Sequence, residues 1–220
     1  MNKTFDDKQL LEYFNIHKDY VINLNNYSKK HDKKIRSPNF PEGLSENIIR
    51  MYINNHENRE CKCSETGDLR IENDKIEVKC FSSSGPTSFG PTESWKEIWF
   101  LDACEFQEDK FRVYKCTLSN TSDEWKNLQI NKSDNYDKVC DDGKRPRIAF
   151  NLLHNQLKDY ITLVKEGCLD DIITKVNDIN IDKIENKDFK ENGHTKENKK
   201  KEDNKKKEDN KKKEDNKKKK

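Results

Sequence analysis

The sequence predicts an α/β (α+β) fold, a mixed central sheet flanked by helices, followed by a disordered C-terminal tail. Three observations predict it. Apolar residues recur at three- and four-residue steps near both ends of the first 182 residues. Between those segments lie short runs of strand length, some alternating and some continuously apolar. Beyond about Lys183 the apolar pattern stops and a charged repeat takes over.

The elements follow in order. Leu10, Phe14, His17, Val21 and Leu24 mark a helix over 6–26, with Asp6 or Asp7 able to cap its start. A basic stretch from Ser28 to Lys34 leads to Pro38 and Pro41, which mark a loop. Ser45 is a good N-cap for a second helix through Ile48, Ile49, Tyr52 and Ile53. Arg59–Cys63 reads as a weak strand. Asp68–Ile71 and Lys75–Phe81 read as a hairpin turning at Glu72-Asn73-Asp74. Ser82–Pro91, rich in Ser, Gly and Pro, reads as a loop. Ile98–Phe106 and Phe111–Leu118 are expected as central strands. Ile148, Leu152, Leu153, Leu157, Ile161 and Val164 give a further helix, and Leu169, Ile172, Ile173, Val176 and Ile179 a last one.

Composition narrows the function classes. The chain has 220 residues, of which 39% are charged and 30% hydrophobic. Residues 183–220 hold 17 Lys/Arg against 10 Asp/Glu, leaving 27 against 32 in residues 1–182, so an acidic body carries a basic tail. Lys-Lys-Lys-Glu-Asp-Asn occurs at 199–204, 205–210 and 211–216. Such a segment buries too little apolar surface to offset the entropy of ordering. It either attracts nucleic acid weakly or has no specific role. No stretch approaches the roughly 20 apolar residues of a membrane span. Seven cysteines, an odd number, and the lack of an apolar leader point to free thiols in a soluble, cytoplasmic protein.

The chemistry concentrates in Gly67-Asp68-Leu69-Arg70-Ile71 and Lys75-Ile76-Glu77-Val78-Lys79-Cys80. Residues two apart in a strand share a face. Glu77 and Lys79 therefore point together, with Ile76, Val78 and Cys80 opposed toward a core, and a hairpin partner brings Asp68 beside them. Two carboxylates and an ammonium suit phosphodiester hydrolysis. The carboxylates bind a hard divalent cation, Mg²⁺ being the natural choice, and the ammonium orients water or offsets developing charge. As spacing alone the pattern is weak in so charged a chain, where a solvated strand face is the bland reading. Zinc is the rival, but Cys61-Lys62-Cys63 with Cys80 and Cys104 lacks structural zinc spacing.

Asp68, Glu77 and Lys79 match the pattern of the PD-(D/E)xK nuclease superfamily, with Gly67 where proline commonly stands. The wider strings Phe40-Pro-Glu-Gly-Leu-Ser-Glu-Asn-Ile, Gly-Asp-Leu, Glu-Val-Lys-Cys, Ser-Ser-Gly-Pro-Thr-Ser-Phe-Gly-Pro-Thr-Glu-Ser-Trp, Leu-Ser-Asn-Thr-Ser-Asp-Glu-Trp and Arg-Pro-Arg-Ile, within 37–160, resemble type II restriction endonucleases that cut GCNGC. The resemblance implies a restriction-endonuclease-like core, a homodimer on double-stranded DNA, Mg²⁺-dependent cleavage of both strands, and a cognate DNA methyltransferase. It makes 37–182 the endonuclease catalytic domain, between an N-terminal helical segment, 1–36, and the tail, 183–220. It also makes Glu46 a further metal carboxylate, against the plain reading of a glutamate that complements a helix dipole.

DNA-contacting candidates follow the catalytic strand. Ser83, Ser84, Thr87 and Ser88 offer hydroxyls to phosphates or bases, unless their segment is simply a flexible turn. Asn120 and Asp123 can read base edges, and are equally ordinary turn or cap residues. Arg145 and Arg147 can pair with guanine, or merely precede a helix. Two other functions fit the same residues: a repair or nicking nuclease of this fold, and a noncatalytic nucleic-acid-binding protein.

Overall fold

The computed structural model describes residues 4–64 and 68–175. The charged repeats, and Val176 and Ile179 of the last predicted helix, lie outside the described residues. Helix α1 (Asp7–Lys30) starts at a capping box: the Asp6 carboxylate accepts from the Gln9 amide, and the Gln9 side chain accepts from the Asp6 amide. It buries Leu10, Phe14, His17 and Val21. Helix α2 (Glu42–His56) starts three residues before the predicted cap. Pro41, with φ −63°, stands at the N-cap, where a fixed φ and a missing N–H cost little. Ser45 is therefore inside the helix, its hydroxyl donating to the Glu42 carbonyl at 2.9 Å. Glu42 takes the first turn, and Glu46 follows one turn later.

Three antiparallel strands come next, β1 (Cys61–Cys63), β2 (Leu69–Ile71) and β3 (Asp74–Phe81). The predicted hairpin forms, with Leu69 opposite Ile76 and Glu72 at φ 54° in the turn. Then follow β4 (Pro86–Ser88), β5 (Glu97–Glu105), a 3-10 turn at Phe106–Glu108, and β6 (Lys110–Cys116). Both predicted central strands are present. β5 lies parallel to β3 and antiparallel to β6. Two short helices, α3 (Asp123–Lys126) and α4 (Tyr136–Asp141), have no counterpart in the sequence reading.

The helix expected over Ile148–Val164 is three elements, β7 (Arg147–Ala149), α5 (Phe150–Gln156) and β8 (Ile161–Gly167). Its apolar residues fit a helical period, but long-range pairing decides otherwise: β8 completes the sheet beside β6, and β7 pairs with β4. Helix α6 (Leu169–Ile173) closes the described chain.

The main sheet runs β1-β2-β3-β5-β6-β8, and β4-β7 is a separate two-stranded ribbon. Alternation along β5 buries both sheet faces. Trp99, Leu101 and Ala103 join Ile76, Val78, Val113 and residues of α1, α2 and α6 in one core. Ile98 and Phe100 join Phe89, Trp95, Trp125, Tyr136, Ile148 and Leu153 in the other. Burying each such large side chain contributes about 1.5–3 kcal/mol. Together the two cores fix β3 rigidly between its neighbours. Among the described residues no helix is long and apolar enough to cross a membrane.

Candidate active site

Asp68, Glu77 and Lys79 come together as the hairpin register requires. Continuing the Leu69–Ile76 pairing by one residue sets Asp68 against Glu77. The Val78 amide donates to the Asp68 carboxylate at 2.7 Å, which clamps Asp68 onto β3. Ile76 and Val78 are buried in one core, while Glu77 and Lys79 pair directly with each other. Glu77 is 8% exposed, so its charge is largely withdrawn from water.

Burial and crowding unsettle these acids. Burial, with Asp68 second, pushes the Glu77 carboxyl up to about 7, against the pull of Lys79. Burial likewise raises Asp68, although the Val78 amide and Lys79 favour its charge. Burial works against the Lys79 ammonium, yet Glu77, Glu93 and Asp68 outweigh it and hold the lysine charged above its ordinary range. Buried acids that resist ionisation are a common mark of a working site.

Helix α2 adds two more carboxylates. Oxygens of Glu42, Glu46 and Asp68 all lie within 4.8 Å of one another. An all-carboxylate set of hard oxygen donors suits a hard divalent cation, and it contains no thiol or imidazole of the kind zinc prefers. The sequence pointed to Glu46 and missed Glu42, because Glu42 was placed before the helix. Glu77, also expected at the metal, is not one of this group and is paired with Lys79 instead.

Beside the acids opens a cleft of about 520 Å³. Lys79, Ser83, Thr87, Ser88 and Arg147 line it, together with Arg36, Asn39 and Glu42, which sequence reasoning did not single out. One wall is the β4-β7 ribbon, in which Ser88 faces Arg147 and Thr87 faces Ile148. Two segments flagged separately as DNA-contacting are thus one structure. The loop that carries them is anchored, not slack: Phe89 is fully buried, its amide donates to the Pro146 carbonyl at 2.9 Å, and its ring lies 5.5 Å from the Lys79 ammonium.

The remaining candidates are placed differently. Arg145 is exposed at the ribbon's edge, its Nε donating to the Ser88 hydroxyl at 3.2 Å. Ser84 is exposed but does not line the cleft. Asn120 spends both ends of its amide on backbone, accepting from the Trp95 amide at 3.2 Å and donating to the Glu93 carbonyl at 2.6 Å. Asp123 is exposed in the first turn of α3, after the Ser122 cap, and away from the cleft lining. Glu93 was not anticipated at all, yet it lies 3.8 Å from Lys79 and 3.7 Å from Arg145.

A curated relative, the type II restriction enzyme Bsp6I of Bacillus sp. (strain RFL6), is 27% identical over 118 residues. That match covers 52% of this chain and 64% of the relative, so the chain spans somewhat under two thirds of the relative's length. No solved structure matches. The family model of the Bsp6I restriction endonuclease matches residues 5–157, which takes in α1, the acids Asp68 and Glu77 of the hairpin and Glu42 and Glu46 of α2, and both strands of the ribbon. With the greater part of its length matched, and the Asp68, Glu77 and Lys79 arrangement fitting the PD-(D/E)xK pattern, the chain belongs to the Bsp6I restriction endonuclease family.

Proposed function

We propose that the protein is a type II restriction-like endonuclease that hydrolyses phosphodiester bonds of double-stranded DNA at a specific sequence, GCNGC, with Mg²⁺ as its cofactor. The observation that carries this reading is the meeting of Asp68, Glu77 and Lys79 with the Glu42–Glu46 carboxylates, next to a cleft that Glu42 and Lys79 line together with Arg147 and serine hydroxyls. Asp68, Glu46 and Glu42 would hold the cation, with Glu77 joining them once released from Lys79. The bound cation supplies charge for the scissile phosphate and acidifies water. Lys79, kept protonated by its acid neighbours, donates to the attacking water or to the phosphate oxygens that gain charge. Arg147, Thr87 and Ser88 would face the DNA from the ribbon, a two-stranded shape that the major groove admits, with Ser83 and Arg145 beside it.

The same reading includes a homodimer, since a two-fold symmetric target presents the same half-site twice. It also includes a cognate methyltransferase that protects host DNA, and action in the cytoplasm. The test is incubation of the purified full chain with unmethylated DNA and Mg²⁺, followed by mapping of the ends. Cuts at one position within GCNGC sites, absent from DNA methylated there, are expected. Scattered or structure-dependent cuts would move the reading to a repair or nicking nuclease. Binding without cutting would leave a noncatalytic DNA-binding protein.

A further inference from the structure

We propose that Glu93 is a positioning residue that couples capture of DNA by Arg145 to the release of Lys79 from Glu77. This inference rests on the endonuclease reading and concerns a residue that the reading itself does not use.

Glu93 stands between the two working parts of the cleft. Its carboxylate lies 3.8 Å from the Lys79 ammonium and 3.7 Å from the Arg145 guanidinium. The carboxylate is held in place from its own loop. The Gly90 amide donates to it at 2.7 Å, and Asn120 grips the Glu93 carbonyl and the Trp95 amide on either side. Position 90 leaves room for it only as glycine, because a Cβ there would fall 2.3 Å from Glu93 Oε1.

The two cations differ in freedom. The Arg145 side chain is 60% exposed, whereas that of Lys79 is 17% exposed. Arg145 can therefore leave for an acceptor pair on DNA, a guanine edge or a phosphate, while Lys79, held inside, shifts from Glu77 toward Glu93. In the DNA-free protein Lys79 sits on Glu77 and Glu93 divides its charge between two cations. When Arg145 departs, Glu93 is left with Lys79 alone and draws it away. Glu77 is then exposed to the neighbouring acids and available to a cation. The arrangement makes the hydrolytic centre complete only after the ribbon has engaged DNA.

Five proteins test this: wild type, Glu93→Gln, Gly90→Ala, Arg145→Ala and the Glu93→Gln/Arg145→Ala double variant. Two quantities are read on each, the single-turnover cleavage rate at saturating protein and the metal-free affinity for site-bearing and site-free duplexes, with thermal melting as the check on folding. Glu93→Gln should slow cleavage roughly 5- to 150-fold, the usual range of coupling between sites. It should bind DNA at least as tightly as wild type, since Arg145 loses a competitor. Gly90→Ala keeps the charge but displaces the carboxylate, so it should reproduce the slowing even if the Gln variant folds poorly. In Arg145→Ala the release of Lys79 needs no DNA, so its rate at saturation should match wild type, and Glu93→Gln should slow the double variant as much as it slows wild type. Loss of site-bearing affinity alone in Arg145→Ala identifies a guanine edge as its acceptor, and equal loss on both duplexes a phosphate; either outcome supports the coupling. Wild-type rates in both Glu93→Gln and Gly90→Ala, a saturated Arg145→Ala rate far below wild type, or a double variant no slower than Arg145→Ala, would overturn the coupling while leaving the endonuclease reading intact. No cleavage by wild type would overturn that reading and this one with it.

Discussion

The two sides of the cleft are built on opposite principles. On the side of α2 and β3, acids are crowded and withdrawn from water: Glu46 and Glu77 are each 8% exposed, and Asp68 is clamped by a backbone amide. On the ribbon side, Arg147 stands in solvent on a strand that pairs only with β4, and Arg145 stands in solvent two residues before it. Buried acids gain most from a cation, because low polarity strengthens every charge interaction. Exposed arginines gain most from a phosphate or a base edge, since they give up little hydration to reach it. On the proposed function the difference teaches a division of labour, with chemistry assigned where charge is costly and recognition where charge is mobile.

The largest effects should come from breaking the buried side. Lys79→Ala or Asp68→Asn should lower the single-turnover cleavage rate by about 10³-fold, comparable to loss of a principal transition-state donor. DNA affinity in both should stay near that of wild type. A parallel loss of affinity would mean that the acids and lysine serve binding, and the contrast between the two sides would collapse. Breaking the exposed side should do less. Arg147→Ala should cost about 1–3 kcal/mol of binding to the target if it reads a base. Equal weakening on site-free DNA, with a shallower salt dependence, would mark it as a phosphate contact.

The buried side also carries a pH signature. The folded Glu77 carboxyl titrates at about 7, above its ordinary value of 4.5, so the folded protein holds a proton that the unfolded chain releases. Stability of the metal-free protein should therefore fall as pH rises from about 4.5 to 7. Glu77→Gln removes that cost. It should raise the melting temperature at pH 8 and change it little at pH 4.5, and a gain of equal size at both would argue against buried charge as the cause. Mg²⁺ should reverse the wild-type loss by stabilising the ionised form, with less effect on the Gln variant. The smallest effect is expected from Asp123→Ala. That residue complements the first turn of α3 outside the cleft, worth about 0.3–1 kcal/mol of stability. Unchanged cleavage would agree with its position, whereas a changed site preference would bring α3 to the DNA.

How much of this was legible in the sequence follows from contact range. The hairpin of Asp68, Glu77 and Lys79 spans a dozen residues, and strand alternation alone aims its side chains. Glu46 was found because α2 was found. Glu42 was missed because Ser45 resembles a better cap than Pro41, which displaced the helix start by three residues. The ribbon was hidden for a different reason. Thr87 and Ile148 pair across some sixty residues, and nothing local in Arg147–Ala149 competes with the helical spacing of Ile148, Leu152 and Leu153. Asn120 looked like a base reader because a turn asparagine and a loop-bracing one have the same sequence. Glu93, two residues past Pro91 in an aperiodic loop, carries no signal until Gly90, Lys79 and Arg145 are brought around it.

Glu77 gives the most direct test of the central claim, that buried acids on β3 hydrolyse DNA held by the ribbon. The measurement is single-turnover cleavage by wild type and Glu77→Ala on the same unmethylated duplex with Mg²⁺, each first shown by metal-free binding to be saturated. The account predicts that wild type cuts both strands at one site while Glu77→Ala binds equally well and leaves the duplex whole. Cleavage by Glu77→Ala at the wild-type rate would contradict it.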